Sequence, residues 1–219
     1  MILGTIPLLR RGASETDWNW HVVAACERAG ALALLVLALP LLLVTGLLIW
    51  ILSGRTPLIA HRRAGWQGRT LWMLKLRTMW GDGTVDTGRW LEHIYDESGP
   101  EFKGVRDPRV RSRFAQFCRR HSIDELPQLW HVITGEMSLV GPRPMTGREL
   151  QRYYGADADE ILRVKPGMAG LWQISGRNRL TYAERRRLDL QLVRERNLPM
   201  YFSILLRTVP EVLSGENTW

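Results

Sequence analysis

Polarity along the chain changes abruptly after the first thirty or so residues. Ala29 to Leu52 reads AGALALLVLALPLLLVTGLLIWIL, 24 residues without a charge. That length suffices to cross a bilayer as a helix. The run starts too late and is too long for a secretory signal peptide, and no small-residue cleavage site follows it. Pro40 lies near its middle, where a proline removes one backbone hydrogen bond and clashes with the turn before it, so a kink is expected. Two arrangements are open: one ordinary span, or a helix that enters and leaves on the same face. Arg55, Arg62, Arg63, Arg69, Lys75 and Arg77 follow the run with no acid between residues 53 and 81. The positive-inside rule places that end in the cytoplasm. Arg10, Arg11 and Arg28 make the other flank basic too, although Glu15, Asp17 and Glu27 accompany them. A re-entrant helix broken at Pro40 satisfies both flanks.

Beyond the run the pattern shortens and punctuates. Leu58 to Arg63 and Arg69 to Thr78 read as two strands around a Gly-containing loop. Residues 81–107 read as a loop with a short helix around Arg89 to Tyr95. Helices are expected over Arg109–Arg120, Gln128–Thr134, Arg148–Arg163, Tyr182–Arg196 and Met200–Leu213, the last on a membrane surface or in the core. SLVGPRP, Ser138 to Pro144, reads as a rigid loop, because Pro142 and Pro144 fix two φ angles and restrict their predecessors. KPG reads as a turn, and GLWQISGRN as a loop packed under the domain. Trp18, Trp20 and Trp50 are candidates for lipid-interface anchors.

The stretch HSIDELPQLW, His121 to Trp130, carries the adjacent acids Asp124 and Glu125. Ser122-Ile-Asp-Glu125 matches a capping box, but Pro127 would then leave a carbonyl unpaired, so the helix start is expected at or near Asp124. A helix N-terminus favours phosphate and an ionised carboxylate. Adjacent residues point about 100° apart in a helix. The pair therefore does not converge as glycosidase acids do, and two separate tasks, attack and metal binding, fit better. Arg143, locked between two prolines, suits bidentate phosphate binding. Lys75 in LKLRTM is either a phosphate-binding cation or an outward-facing lysine. Arg106, Arg109, Arg111, Arg113, Arg119 and Arg120 read as a solvated or lipid-facing basic face.

Composition narrows the partners. The net charge of +8 points to something anionic. Cys26 and Cys118 form no CxxC pair, and the five histidines show no ligand spacing, which argues against a disulfide framework and a zinc module.

In order, the proline-centred apolar run, KLRTM, DPRV, SIDELPQLW, GEMSLVGPRP, KPGMAGLWQISGRN and the later Leu188-Asp189 resemble the bacterial sugar transferases, the monotopic polyprenyl-phosphate phosphoglycosyl transferases. The resemblance runs from about residue 20 to the C-terminus. It implies transfer of a sugar 1-phosphate from a UDP-sugar to undecaprenyl phosphate with release of UMP, a requirement for Mg²⁺, and a place on the cytoplasmic face of a bacterial inner membrane. By motif, Asp124 would be the nucleophile on the β-phosphorus and Glu125 would help hold Mg²⁺. Lys75 and Arg143 would contact phosphate, Asp189 would lie in or near the nucleotide site, and Gln173 and Arg177 would line it. The implied fold is α+β, mostly α with a small β-hairpin. Residues 1–28 form an N-terminal segment partly at the interface, 29–52 the re-entrant helix, and 53–219 a cytoplasmic catalytic domain with interfacial amphipathic helices. The pathway would be exopolysaccharide, capsule or a related glycan. Anionic lipids are expected partners and nucleic acid is not; a homo-oligomer is left open.

Three departures stand out. Leu39-Pro40 replaces the family's usual Ser-Pro, Ala169 replaces a threonine, and the last helix shows Pro199 and Ser203 where an acid is common. The larger relatives' extra N-terminal spans are missing, so the chain reads as a minimal catalytic form. The main rival is a membrane-tethered basic domain that binds anionic lipid or nucleic acid without catalysis. A scaffold that has lost catalysis is a second, opposed by the intact Asp124-Glu125 pair and PRP loop.

Overall fold

The computed structural model of the chain describes residues 15–79, 91–95, 110, 112–176 and 179–215. The apolar run is part of helix α1, Glu15–Ser53, with Pro40 inside it. Its covered positions are 20, 23, 24, 27, 31, 35, 38, 42, 45, 46, 49 and 53, spaced like one helical face on both sides of Pro40. The remaining faces are an open apolar belt, with Leu37 77% and Leu43 66% exposed. A belt of that extent matches lipid rather than water.

After α1 the chain turns back and Pro57 packs on Gly46. Strands β1 (Leu58–Ala64) and β2 (Thr70–Leu76) form the expected antiparallel hairpin, in register Leu58↔Leu76 to Ala64↔Thr70. The short helix expected around Arg89–Tyr95 is instead a strand where it is described: β3, Leu91–Ile94, pairs parallel with β1. Its reason is tertiary, since Glu92 meets the Arg77 guanidinium and Trp72 stacks edge-on to His93 and Tyr95. Most of the expected 81–107 loop, with Arg106, Arg109, Arg111 and Arg177, lies outside the described residues.

Helix α2, Arg113–Arg120, is capped by Ser112, whose hydroxyl accepts from Ala115 N–H at 2.9 Å. A 3-10 turn, Ile123–Gln128, then leads into α3, Leu129–Thr134, which ends on left-handed Gly135. The first residues of SLVGPRP are not loop: β4, Ser138–Val140, pairs parallel with β5, Gly167–Ala169. The helix expected over Arg148–Arg163 is broken into α4 (Gly147–Glu149), a π turn (Leu150–Tyr154), a 3-10 turn (Gly155–Asp157) and α5 (Ala158–Ile161). Gly155 at φ 51° is the break. Within GLWQISGRN, Leu171–Ile174 forms the short helix α6. Helices α7 (Tyr182–Arg194) and α8 (Leu198–Ser214) follow, capped by Thr181 and Asn197.

Two clusters join the membrane helix to the body. Ala31 and Leu35 pack with Leu71, Met73, Leu126, Leu129 and Val132, and Trp20 and Val23 pack with Val140, Tyr201 and Ile204. Helix α8 buries Tyr201 and Ile204 but leaves Phe202, Leu206, Val209 and Leu213 open, at 54–73% exposure. That spacing is a second apolar stripe along one helical face.

Candidate active site

Ser122 is left-handed at φ 54° and its side chain makes no cap bond, so the capping box does not form. Asp124 is not the cap either. The helical segment nevertheless begins at Ile123, next to Asp124 as expected, as a 3-10 turn that carries both acids at its start. Cations add to the positive field there. Glu125 Oε1 accepts from Lys75 Nζ at 2.8 Å and from Arg143 Nη2 at 2.7 Å. Glu125 is bonded to the two cations, while Asp124 is 5% exposed, with the Cys118 thiol close enough to feel its charge.

These surroundings separate the two acids electrically. Burial raises the Asp124 carboxyl, Glu125 adds to the rise, and Lys75, Arg119 and Arg143 oppose it. Burial also works to raise Glu125, but Arg143 and Lys75 overcome it and hold that carboxyl well below its usual range. Burial, helped by the Asp124 charge, pushes the Cys118 thiol up to about 11, so it stays a packed, protonated group.

Each cation is positioned by backbone elements. Lys75 sits on β2, and β2 is tied to α3 by His131: its Nε2 accepts Leu74 N–H at 3.1 Å while its Nδ1 meets Glu136 Oε2 at 2.7 Å. The first bond makes Nε2 the acceptor, so Nδ1 carries the proton. Arg143 stands at the end of a clamp. Gly141 N–H donates to Ala169 O at 2.9 Å and Gly167 N–H to Pro142 O at 2.8 Å. A Cβ on Gly167 would lie 2.0 Å from Gly141 N, so glycine is required for this approach. The capping box of Thr146 and Glu149 follows immediately.

Asp189 lies within reach of the Arg143 charge. It is 0% exposed, and its Oδ2 accepts from Tyr154 OH at 2.7 Å. Burial raises it to about 7 against the Tyr154 bond and the charges of Arg185 and Arg143. Gln173 is also buried: its Nε2 donates to Met168 O at 3.1 Å, and among the described residues its Oε1 has no partner. It packs at the PRP clamp, where a Cβ on Gly170 would meet both Gln173 Oε1 and Gly141 O. Arg177 lies outside the described residues. Sequence reasoning missed Glu27, His131 and Tyr154 as contributors, because their partners lie 35 to 174 residues away except for Glu136 beside His131.

The Asp189 environment has a consequence for stability. Between about pH 4 and 7 the folded chain keeps a proton there that the unfolded chain has lost. The Asp189 contribution to stability is therefore fully present below that window, falls as pH rises through it, and levels off above about 7. The full change is about 4 kcal/mol at most. Thermal unfolding of the detergent-solubilised protein at pH 5 and 8 should show this slope, and Asp189→Asn should flatten it.

Magnesium is tested by the donor set. Among the described residues no group of three or more His, Cys, Asp or Glu side chains converges on a metal-sized site. A cage made wholly of protein is thus not what the dyad resembles. Two neighbouring carboxylates do suit Mg²⁺, which commonly binds through one or two carboxylates plus substrate phosphates. Glu125, held anionic, fits that partial site.

A family model described as Bacterial sugar transferase matches residues 18–215. A UDP-galactose-lipid carrier transferase of Erwinia amylovora is 41% identical over 202 residues, covering 88% of this chain and 40% of that protein. The exopolysaccharide production protein ExoY of Sinorhizobium fredii is 40% identical over 191 residues, covering 86% and 83% respectively. A UDP-glucose:undecaprenyl-phosphate glucose-1-phosphate transferase of Xanthomonas campestris is 31% identical over 229 residues, covering 99% of this chain and 44% of that protein. The chain thus spans under half the length of two of these relatives and most of the third. The family match takes in the membrane helix, the dyad and the PRP clamp together, and the chain belongs to the bacterial sugar transferase family.

Proposed function

We propose that the chain transfers a sugar 1-phosphate from a UDP-sugar to undecaprenyl phosphate and releases UMP, as the first membrane-committed step of an exopolysaccharide, capsule or related glycan. The observation that carries this reading is the arrangement of a buried carboxylate, Asp124, beside a carboxylate bridged by Lys75 and Arg143. An Asp124 oxygen attacks the sugar-bearing phosphorus. The bond from that phosphorus to the bridging oxygen breaks, and its electron pair leaves with UMP. An oxygen of undecaprenyl phosphate then attacks the same phosphorus and restores the Asp124 carboxylate. Two displacements through a covalent enzyme give ping-pong kinetics. A desolvated carboxylate is a stronger nucleophile than a hydrated one, and Lys75 and Arg143 oppose the charge that builds on phosphate oxygens. Mg²⁺ bound with the diphosphate would neutralise the leaving phosphate, with Glu125 as the protein ligand.

The same reading places the body on the cytoplasmic face of an inner membrane, with α1 re-entrant. Contacts from Trp20 and Ala31 through to the Gly46–Pro57 packing support it, since one body follows both halves of α1. A helix crossing the bilayer would carry one of those ends to the far side. The open stripe of α8 would lie in the same interface, near anionic headgroups. An engineered cysteine near residue 5 should react with impermeant reagent only from the cytoplasmic side. Periplasmic labelling would contradict re-entry.

The activity is tested by UMP release from a panel of UDP-sugars with undecaprenyl phosphate, membranes and Mg²⁺. One or more donors should give UMP. Folded protein that releases none would refute the assignment in favour of a non-catalytic basic domain.

A further inference from the structure

Glu27 has no part in the transfer chemistry, yet its carboxylate is elaborately held. It stands on α1 two residues before the uncharged run and is 8% exposed. Its Oε1 accepts from Ser138 Oγ at 2.5 Å, from Leu139 N–H at 2.8 Å and from Tyr201 OH at 2.8 Å. Two donors belong to β4 and one to α8. Attachment alone does not need a buried carboxylate, because Ala31 and Leu35 already pack α1 on the body through apolar contacts. A buried charge is costly unless fully bonded. What it adds over apolar packing is register.

The register it sets ends at the dyad. Leu139 precedes Arg143 by four residues. Between them lies the clamp in which Gly141 bonds Ala169 and Pro142 bonds Gly167, with prolines on both sides of Arg143. Ser138 to Pro144 is therefore braced along its length, and Arg143 near its far end reaches Glu125 at 2.7 Å. We propose that Glu27 is a positioning residue: by pinning β4 to the membrane helix it sets Arg143 against Glu125, so that the seating of α1 and the geometry of the active site form one mechanical unit. The inference rests on the reading of Arg143 as a phosphate-binding group.

Full-length Glu27→Gln in lipid nanodiscs tests it, because glutamine keeps the shape and removes the charge that draws three donors. With the donor that the wild type accepts, kcat/KM for UMP release should fall roughly tenfold, as for loss of a hydrogen-bonded charge. Membrane flotation should be unchanged. Arg143→Lys should then cost less in the Glu27→Gln background than in the wild type, since the first change has already displaced the arginine. Additive losses, or wild-type kcat/KM in Glu27→Gln, would overturn the proposal. A second readout needs no turnover. Amide hydrogen exchange at Gly141 and Gly167 should quicken in the variant while the β1–β2 hairpin is unaltered, and unchanged exchange also overturns it. This separates the outcome from that of the proposed activity, which fails on wild-type protein alone. Should Glu27→Gln not fold, Tyr201→Phe removes one donor and carries both measurements.

Discussion

Asp124→Asn is expected to lose UMP release by roughly 10⁴-fold or more while the protein still folds and floats with membranes. The size follows from the role. An amide oxygen cannot open the diphosphate, and the neighbouring carboxylate, Glu125, is held by Lys75 and Arg143. Intact folding follows from the burial. The environment already disfavours the charged form of Asp124, so removing that charge costs the fold little. A merely structural acid would behave in the opposite way, losing stability with activity. Steady-state UMP release and flotation, measured on the same preparation, separate the two.

Arg143→Lys is expected to lower kcat/KM by roughly 10²-fold, with most of the loss in kcat. Lysine keeps the charge but not the planar fork, and its shorter reach from a proline-locked backbone cannot duplicate the Nη2 contact with Glu125. Lys75 remains, so Glu125 keeps one cation and the fold should hold. Arg143→Ala should be worse, because it leaves the positive field to Lys75 and Arg119. Wild-type kcat/KM in Arg143→Lys would mean that the residue serves Glu125 as a simple counter-charge. Measuring kcat and KM separately for the UDP-sugar distinguishes loss of transition-state binding from loss of ground-state binding.

Features with a local cause were legible in the sequence. The apolar run, the β1–β2 hairpin, the Arg113–Arg120 part of the helix expected over Arg109–Arg120, and α7 each follow from a pattern that a short window contains. Arg143 was legible because two prolines mark a fixed guanidinium. Features with a distant cause were not. The strand at Leu91–Ile94 depends on β1 and on Arg77, and β4 exists because Gly167 admits the backbone of Gly141. The helix expected from Arg148 is unwound where Gly155 turns left-handed and Tyr154 is drawn to Asp189. The dyad and a helical start at or near Asp124 were legible locally, but not the ion pairs: Ser122 is left-handed without a cap bond, and Lys75 and Arg143 reach Glu125 from two different segments. Motif order singles out Asp189 but says nothing of its burial: it is fully enclosed and bonded to Tyr154.

The departures from the family's usual pattern also gain physical content. The missing acid of the last helix is accompanied by Tyr201 donating to Glu27 of α1, so a carboxylate does meet α8, but from the membrane helix. Ala169 packs as a buried residue whose carbonyl holds Gly141, a role for which a hydroxyl is not required.

The covalent step is the centre of the account, and it can be caught directly. The protein is mixed with its UDP-sugar and Mg²⁺ without lipid acceptor, quenched in acid and digested. Mass spectrometry should find a phosphosugar on the peptide that contains Asp124, formed with one equivalent of UMP and lost when undecaprenyl phosphate is added before the quench. An adduct on another residue, or UMP release that requires the acceptor and leaves no adduct, would contradict it.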